Sequence, residues 1–99
     1  MSFPERIKVT NLPFMFQGWN KIYVKIGNDE EGFPIYHLKP YTLYFFIEIL
    51  GVKLFRKNGI WVIQRDIDSY PTVFQKYGIE PQSDPFGYWS EGCIVIPCD

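Results

Sequence analysis

A single histidine and three acidic residues are the side chains of this sequence best suited to acid–base chemistry. His37 is the only histidine among the 99 residues, so a catalytic pair of the serine–histidine or cysteine–histidine type would have to include it. Asp66 and Asp68 form an Asp-x-Asp pair, and paired carboxylates can hold Mg²⁺ or Ca²⁺ or transfer protons. A small hydrolase built from Asp66, Asp68 or Glu48 with His37 requires these groups to converge in one cleft.

Structural roles also account for these residues. His37 alternates with Ile35 along a predicted strand, which favours a position on a sheet surface. Asp68 stands shortly before Pro71, where a carboxylate can cap the start of a helix. We therefore predict a protein that is not an enzyme, with no catalytic residue, no metal site and no cofactor.

Two other groups of candidate metal ligands have equally simple explanations. Residues 28–32 are rich in side-chain oxygen atoms but lack the spacing of a calcium loop, and a solvated hairpin turn accounts for them. Cys93 and Cys98 are the two cysteines, and no second pair is available for zinc. Five positions apart along a strand, they would face opposite sides about 16 Å apart, so we predict free thiols.

Aromatic side chains are the outlier of the composition, with nine Phe, seven Tyr and three Trp. In residues 21–25 lysine and tyrosine are interleaved, a combination typical of proteins that stack bases beside a basic groove. The tryptophans could instead form a platform for a sugar. Rings that remain at the surface would mark a contact site. The candidate interaction surface comprises Trp19, Tyr23, Tyr36, Tyr41, Tyr44 and Trp89.

The first half of the chain predicts a β-hairpin. In residues 20–26 aliphatic side chains occupy every second position, the pattern of a half-buried strand. Its two faces carry Ile22, Val24 and Ile26 on one side and Lys21, Tyr23 and Lys25 on the other. Residues 27–32 supply turn chemistry, and residues 33–38 return as a second strand. Pro34 has no N–H, so that strand is expected at an edge, or paired on one side only near its start.

The middle of the chain predicts two further elements. Residues 41–50 are apolar on both faces, which indicates a strand covered on both sides, and the glycine that follows marks a bulge or a tight bend. Asn58-Gly59 between two alternating runs is the preferred pair for a two-residue type I′ turn. Residues 52–57 and 60–65 are therefore predicted to form a second hairpin.

The last third of the chain predicts less regular structure. Residues 70–77 are expected to form one short helix or 3₁₀ turn. After a loop, strands are expected at 86–89 and 93–97, joined by a glycine turn. The chain is therefore predicted to be one all-β domain, residues 1–99, built as a small antiparallel meander sheet or partly open barrel with one short helical turn.

Size and charge narrow the class of protein. Ninety-nine residues support one domain with one core. The formal net charge is −1, whereas a protein held by phosphates usually has a basic excess, so nucleic acid is disfavoured as a partner. The first residues lack the apolar run of a secretory signal, and residues 41–50 are too few to span a membrane. These features predict a soluble, intracellular protein without a membrane partner.

Several short motifs follow one another in a set order. They are Asn20-x-x-Tyr23, Gly32-Phe-Pro34-Ile-Tyr36, Leu43-Tyr44-Phe45, Asn58-Gly59-x-Trp61-Val-Ile63 and a late Trp89. Over residues 18–96 this order resembles small β modules of the NGxY…NGxPxY…LYF…WxI type, found in uncharacterised proteins of algae, protists and large DNA viruses. A small giant-virus protein of the marseillevirus type fits this style of sequence. Lys21 and Glu31 depart from the pattern, in ways that can alter a turn without changing the fold.

The resemblance implies a fold and no reaction. It implies core or signature positions for Tyr23, Tyr36 and Trp61, and it offers no catalytic residue to transfer. A viral and virion-associated setting is the expectation that follows from it.

Abundant aromatic and β-branched residues without a catalytic constellation favour a protein that works by binding. We predict a non-enzymatic module that acts through protein–protein contacts or self-association. A homodimer is expected, because a sheet that is apolar on both faces needs a cover. The alternative is a module that binds carbohydrate or single-stranded nucleic acid, which requires an exposed Trp or Tyr ring beside a groove.

Overall fold

The structure is a computed structural model that describes residues 3–66 and 74–98. Within that part of the chain most of the regular structure is extended, which confirms the all-β fold class. The strands are β1 (Arg6–Thr10), β2 (Ile22–Asn28), β3 (Pro34–Leu38), β4 (Tyr41–Leu43), β5 (Ile47–Ile49), β6 (Val52–Lys57), β7 (Ile60–Arg65), β8 (Phe74–Gln75), β9 (Gly87–Tyr88) and β10 (Ile94–Pro97). Two short 3₁₀ segments are η1 (Phe14–Trp19) and η2 (Ser90–Gly92). Neither segment, nor any other helix in the described ranges, has the length and apolar character needed to cross a membrane.

Eight strands form one antiparallel sheet in the order β8-β7-β6-β3-β2-β1-β10-β9. The sheet curls until its two edge strands meet. A single bridge pairs Lys76 with Trp89, and the N–H of Tyr77 donates to the carbonyl of Tyr88 at 3.2 Å. The partly open barrel is therefore the architecture observed.

The inside of the barrel holds the hydrophobic core. Every second residue of a strand points inward, and eight strands leave an interior that side chains can fill. The Tyr23 hydroxyl donates to the carbonyl of Trp19 at 2.9 Å, and the Tyr36 hydroxyl donates to the carbonyl of Pro4 at 2.7 Å. Burial raises the pKa of Tyr23, which keeps its hydroxyl protonated as a donor. The core cluster comprises Ile7, Val9, Leu12, Trp19, Tyr23, Tyr36, Leu38, Val52, Leu54, Trp61, Ile63, Phe74, Trp89, Cys93 and Val95.

The first predicted hairpin is present as β2 and β3. Its acidic turn is closed by Asp29, whose side chain accepts a hydrogen bond from the N–H of Phe33 at 2.9 Å. Pro34 pairs with Asn28 of β2, whereas the ladder between β3 and β6 begins at Tyr36. The expected one-sided pairing near the start of this strand is therefore confirmed.

The second predicted hairpin is present with the expected bounds, as β6 and β7. Asn58 and Gly59 have φ values of 52° and 85°, so both central residues adopt the left-handed conformation. That is the geometry of a type I′ turn, whose twist matches the twist of the strands it joins. The prediction of this hairpin is confirmed.

The prediction of a covered strand at residues 41–50 is wrong. These residues form β4 and β5, a two-stranded sheet outside the barrel. Their register continues that of β3 and β6, because Leu38 lies opposite Val52 and Tyr41 lies opposite Ile49. The segment is therefore an extension of the β3–β6 hairpin.

We refer to residues 39–51 as the arm. The ladder between β3 and β6 is interrupted at Pro40, which has no N–H to donate, and resumes between β4 and β5. At the base of the arm, the Tyr41 hydroxyl donates to the carbonyl of Gly18 at 2.5 Å. A Cβ built on Gly18 would lie 2.6 Å from Cδ1 of Ile49, so glycine is what lets the arm pack on η1. The base rests on the barrel and the far end extends into solvent.

The helix expected at 70–77 can be checked only in part, because residues 67–73 lie outside the described residues. The described part comprises β8, Lys76, which bridges to Trp89, and Tyr77, which donates to the carbonyl of Tyr88, so the helix prediction is wrong there. The extended backbone buries Phe74 against the rings of Phe16 and Trp19, at centroid distances of 5.1 and 6.1 Å. Packing of this ring outweighs the local helix signals.

The helical turns observed lie elsewhere, in η1 and η2, and neither η1 nor β1 is among the predicted elements. The two C-terminal strands and the turn between them are confirmed. In that turn Glu91 and Gly92 have φ values of 59° and 79°. Glycine at the second position suits this left-handed backbone, as the sequence indicates.

Both cysteines are free, as predicted, and they differ in reactivity. Cys93 is fully buried, and burial raises the pKa of its thiol to about 12, whereas Cys98 is partly exposed. Because the thiolate is the nucleophile, we expect iodoacetamide at neutral pH to modify Cys98 and leave Cys93 untouched. Intact mass before and after denaturation checks this, with one adduct on the folded chain and two on the unfolded chain. Rapid modification of Cys93 in the folded protein would contradict the burial.

Candidate binding groove

Most of the rings predicted to form an interaction surface lie inside the barrel. Trp19, Tyr23, Tyr36 and Trp89 are at most 5% exposed. Their assignment to a contact surface is corrected, because bulky rings are what fills the interior of a barrel of this size. The core positions that the resemblance implies for Tyr23, Tyr36 and Trp61 agree with this burial.

The two other predicted rings are at the surface, and both belong to the arm. Tyr44 is 64% exposed at the far end. Tyr41 is half-buried at the base, where it borders a groove with a volume of about 850 Å³. The structure therefore does not bring the six predicted residues together.

The floor of the groove is aliphatic and lies on the outer face of β2. Ile22, Val24 and Ile26 point away from the core and are 43, 48 and 59% exposed. β2 is half-buried as predicted, but the residue it buries is Tyr23. The reason is the register, because Tyr23 lies opposite Ile7 of β1, which also points inward. A contiguous aliphatic stripe is thereby left on the outside of the barrel.

The rim of the groove carries positive charge. Lys8, Lys21 and Lys39 line it, and His37 stands beside them. None of the lining residues is acidic, and among residues 3–66 and 74–98 no carboxylate lies within 4.0 Å of these three lysine ammonium groups. Since the whole chain has a net charge of −1, this cluster is a local feature of the charge distribution.

Tyr41 forms the wall at the base of the arm. The ammonium group of Lys21 lies 5.3 Å from the centroid of its ring, within the range of a cation–π contact. Burial raises the pKa of Tyr41, so the hydroxyl that binds the Gly18 carbonyl stays protonated. The ring of Tyr41 is therefore in contact with Lys21, and its hydroxyl is hydrogen bonded to Gly18 at the base of the arm.

His37 forms a polar contact at the other side of the groove. Its Nε2 lies 2.8 Å from Oδ2 of Asp66, which follows β7. Space for this pair is provided by Gly51, where an added Cβ would collide with the Asp66 carboxylate. The N–H of Asp66 also donates to the carbonyl of Gly51 at 3.0 Å. The pair ties β3 to the end of β7 beneath the arm.

Of the acidic groups that a hydrolase would need, only Asp66 is seen to meet His37. Asp68 lies outside the described residues, and Glu48 lines a separate, smaller groove on the arm, with a volume of about 210 Å³. Within the described ranges no serine, threonine or cysteine hydrogen bonds to His37, and no group of three or more His, Cys, Asp or Glu side chains is placed to hold a metal ion. Within the described residues the side-chain partner of His37 is the Asp66 carboxylate.

The far end of the arm is a second exposed apolar feature, which we name the tip, residues 44–46. Tyr44, Phe45 and Phe46 are 64, 101 and 78% exposed. Tyr44 and Phe45 have φ values of 54° and 70°, a conformation that bulky residues rarely adopt and that Gly or Asn adopts at lower cost. The tip therefore carries bulky aromatic residues at a turn where they are conformationally costly.

Sequence reasoning missed the parts of the surface that the fold brings together. The aliphatic stripe was visible as alternation in β2, but alternation does not say which face points inward. Lys8 and Lys39 lie far from Lys21 along the chain, and only the pairing of β1, β2 and β3 makes them neighbours. We find no family model, no curated protein and no solved structure that matches this chain.

Proposed function

We propose that this protein is a non-enzymatic interaction module that works through protein–protein contacts. The observation that carries the proposal is the stripe of Ile22, Val24 and Ile26 on the outside of the barrel. The interior is already filled by core side chains, so the stripe adds nothing to the core. Contiguous apolar surface beside polar groups is typical of a protein-binding site.

Self-association is the form of this function that needs no other protein, and we assign it to the tip. The three rings of the tip are exposed at the end of an arm whose base is anchored to the barrel by the hydrogen bond from Tyr41 to Gly18. Aromatic side chains supply much of the binding energy of protein interfaces when a partner covers them. A symmetric contact between two tips would give the expected homodimer.

We expect the wild-type chain to sediment as a dimer at micromolar concentrations and the double variant Phe45→Asn, Phe46→Ser to sediment as a monomer. Asn tolerates the left-handed backbone at position 45, so the variant removes rings without adding strain. Analytical ultracentrifugation over a concentration series makes the measurement. Phe14→Ser is the matched control, because Phe14 is also an exposed ring, at 81%, but lies outside the arm.

A monomer for the wild-type chain across that series would contradict self-association. The groove would then be the remaining candidate contact surface, and substitutions of its lysines and of Val24 test it. A dimer that survives in the tip variant but is lost in Val24→Asp would move the self-contact from the tip to the groove.

The alternative, binding of carbohydrate or single-stranded nucleic acid, is supported by one observation. Tyr41 borders the groove together with Lys8, Lys21 and Lys39. Proteins that bind single strands use the same combination, an aromatic ring that stacks on a base and lysines that contact the phosphates. Fluorescence anisotropy with labelled oligothymidylate tests it, with a soluble glucan as the second probe. Tight, salt-sensitive binding that Tyr41→Leu abolishes and Tyr44→Leu leaves intact would favour this alternative over protein contacts.

We further propose an intracellular setting, which two free thiols support, with virion association as the setting that the resemblance implies. Proteomics of purified virus particles and of the infected host cell makes the comparison. Enrichment in the particles would support virion association, and detection in the cell alone would support an intracellular setting.

A further inference from the structure

We propose that the groove holds an extended acidic segment of a partner protein, in which carboxylates alternate with aliphatic side chains. The inference rests on the proposed function and names the chemistry of the partner. It follows from three properties of the groove: its charge, the spacing of its floor and the limited exposure of Tyr41, the aromatic residue in its lining.

The charge of the rim selects an anionic partner. Lys8 comes from β1, Lys21 from the residue before β2, and Lys39 from the start of the arm, so three separate parts of the chain converge on one groove. No carboxylate of the described residues neutralises them. Among the described residues, the carboxylate in contact with a residue of the groove is Asp66, which lies 2.8 Å from Nε2 of His37. Complementary charge at a rim steers association and selects the partner.

The floor of the groove selects an extended backbone. Ile22 and Val24 are successive outward residues of β2, about 6.6 Å apart as in a regular strand, and the exposed Ile26 follows them at a β-bulge between Lys25 and Gly27. An extended segment laid along β2 repeats its own side chains at the same interval, so its aliphatic residues can meet the stripe. Its alternate residues then point away from the floor, where acidic ones can reach the lysines of the rim.

Other occupants fit the groove less well. Stacking of bases needs exposed rings, but Tyr41 is half-buried and its ring is already in contact with Lys21. A second copy of this chain would have to supply an acidic and aliphatic segment. Acidic and aliphatic residues alternate in this chain only over three residues at a time, in Ile47-Glu48-Ile49 and Asp66-Ile67-Asp68. The first of these segments carries a single carboxylate and is already paired with β4, and Asp66 of the second is held by His37. The observations therefore favour a different protein.

Selection from a displayed library of random peptides of about ten residues, the length of a long strand, tests the inference on the intact chain. We expect the selected peptides to carry a clear acidic excess with aliphatic residues at alternate positions. The groove variant replaces Lys8, Lys21 and Lys39 by Gln. The control variant replaces Lys25, Lys53 and Lys57 by Gln, which changes the net charge equally outside the groove.

Synthetic copies of the selected peptides should bind the groove variant about tenfold or more weakly than the wild type, and the control variant within about twofold. Val24→Asp should weaken them as well, because it places a carboxylate in the floor. Circular dichroism and thermal melting of each variant identify any loss that comes from unfolding.

Several outcomes would overturn the inference. They are an absence of enrichment, enrichment of neutral or basic peptides, equal weakening by the control variant, or tight occupation of the groove by oligothymidylate, by oleate or by a second copy. A tip-dependent dimer together with any of these would leave the proposed function standing and remove only the assignment of the groove. Loss of both the dimer and the selected peptides would remove the proposed function too.

Discussion

Replacing Trp89 by phenylalanine is expected to lower the free energy of unfolding by about 3 kcal/mol, and the same change at Trp61 by about half as much. Both rings are fully buried, so the apolar volume removed is the same. The difference lies in the indole nitrogen. Nε1 of Trp89 donates to the carbonyl of Pro85 at 2.8 Å, whereas Nε1 of Trp61 has no hydrogen-bond partner in the described structure.

The physical reason is the cost of an orphaned polar group. Trp89→Phe leaves the carbonyl of a buried proline without its donor, which costs a further desolvation penalty. Trp61→Phe instead removes a buried N–H that is already unsatisfied, which partly offsets the cavity it creates. Urea unfolding followed by circular dichroism measures both variants. Equal losses would show that the indole of Trp61 has a partner after all, or that the Pro85 carbonyl finds another donor.

Gly51→Ala is expected to destabilise the protein by about 2 kcal/mol, because overpacking a buried site forces its neighbours to move. The new Cβ would collide with the Asp66 carboxylate and would lie 3.3 Å from Nε2 of His37. The Asp66 side chain must therefore move, and its contact with His37 is lost. Urea unfolding gives the free energy, and the chemical shifts of the His37 ring report on the contact.

Gly27→Ala is the matched control for this change. Gly27 also lies at a strand position, but an added Cβ there meets nothing within 4 Å. We expect this variant to equal the wild type in stability or to exceed it by about 0.5 kcal/mol, since alanine has less conformational freedom to lose on folding. If both alanine variants were neutral, the pocket around Asp66 would have to be looser than the geometry indicates.

Local signals predicted those parts of the fold that are decided locally. Asn58-Gly59 has one well-defined use between alternating runs, and the hairpin formed with the expected bounds. Pro34 lacks an N–H, and the one-sided pairing follows from that single fact. The strong strand signals on either side of these turns were enough to identify the fold class.

Features decided by distant residues were not predicted. Residues 41–50 have the composition of a covered strand and contain no Gly or Asn to signal a turn, yet the chain reverses at Tyr44 and Phe45 with left-handed backbone. The helix signals near Pro71 did not anticipate that Phe74 would be needed in the core. Closure of the sheet rests on the bridge between Lys76 and Trp89, which no local pattern encodes.

In the candidate site, too, the local pattern was predictable and the features that depend on distant residues were not. Alternation in β2 was visible, but the choice of inner face depends on the pairing of Tyr23 with Ile7. Residue type alone predicted the aromatic contact surface, and large rings fill barrel interiors as readily as they form contact sites. A groove made by residues from β1, β2 and the arm exists only once those elements are neighbours.

The shared register of β3 with β6 and of β4 with β5 also bears on how this protein can vary. Because the side chains of a strand alternate between its faces, adding or removing two residues on each side of the arm would change its reach while every side chain keeps its face. A change of one residue on each side would keep the two strands paired but would turn every side chain beyond it to the opposite face. The tip is therefore the position at which new recognition sequences can be displayed, by natural variation or by grafting, on a barrel that stays the same.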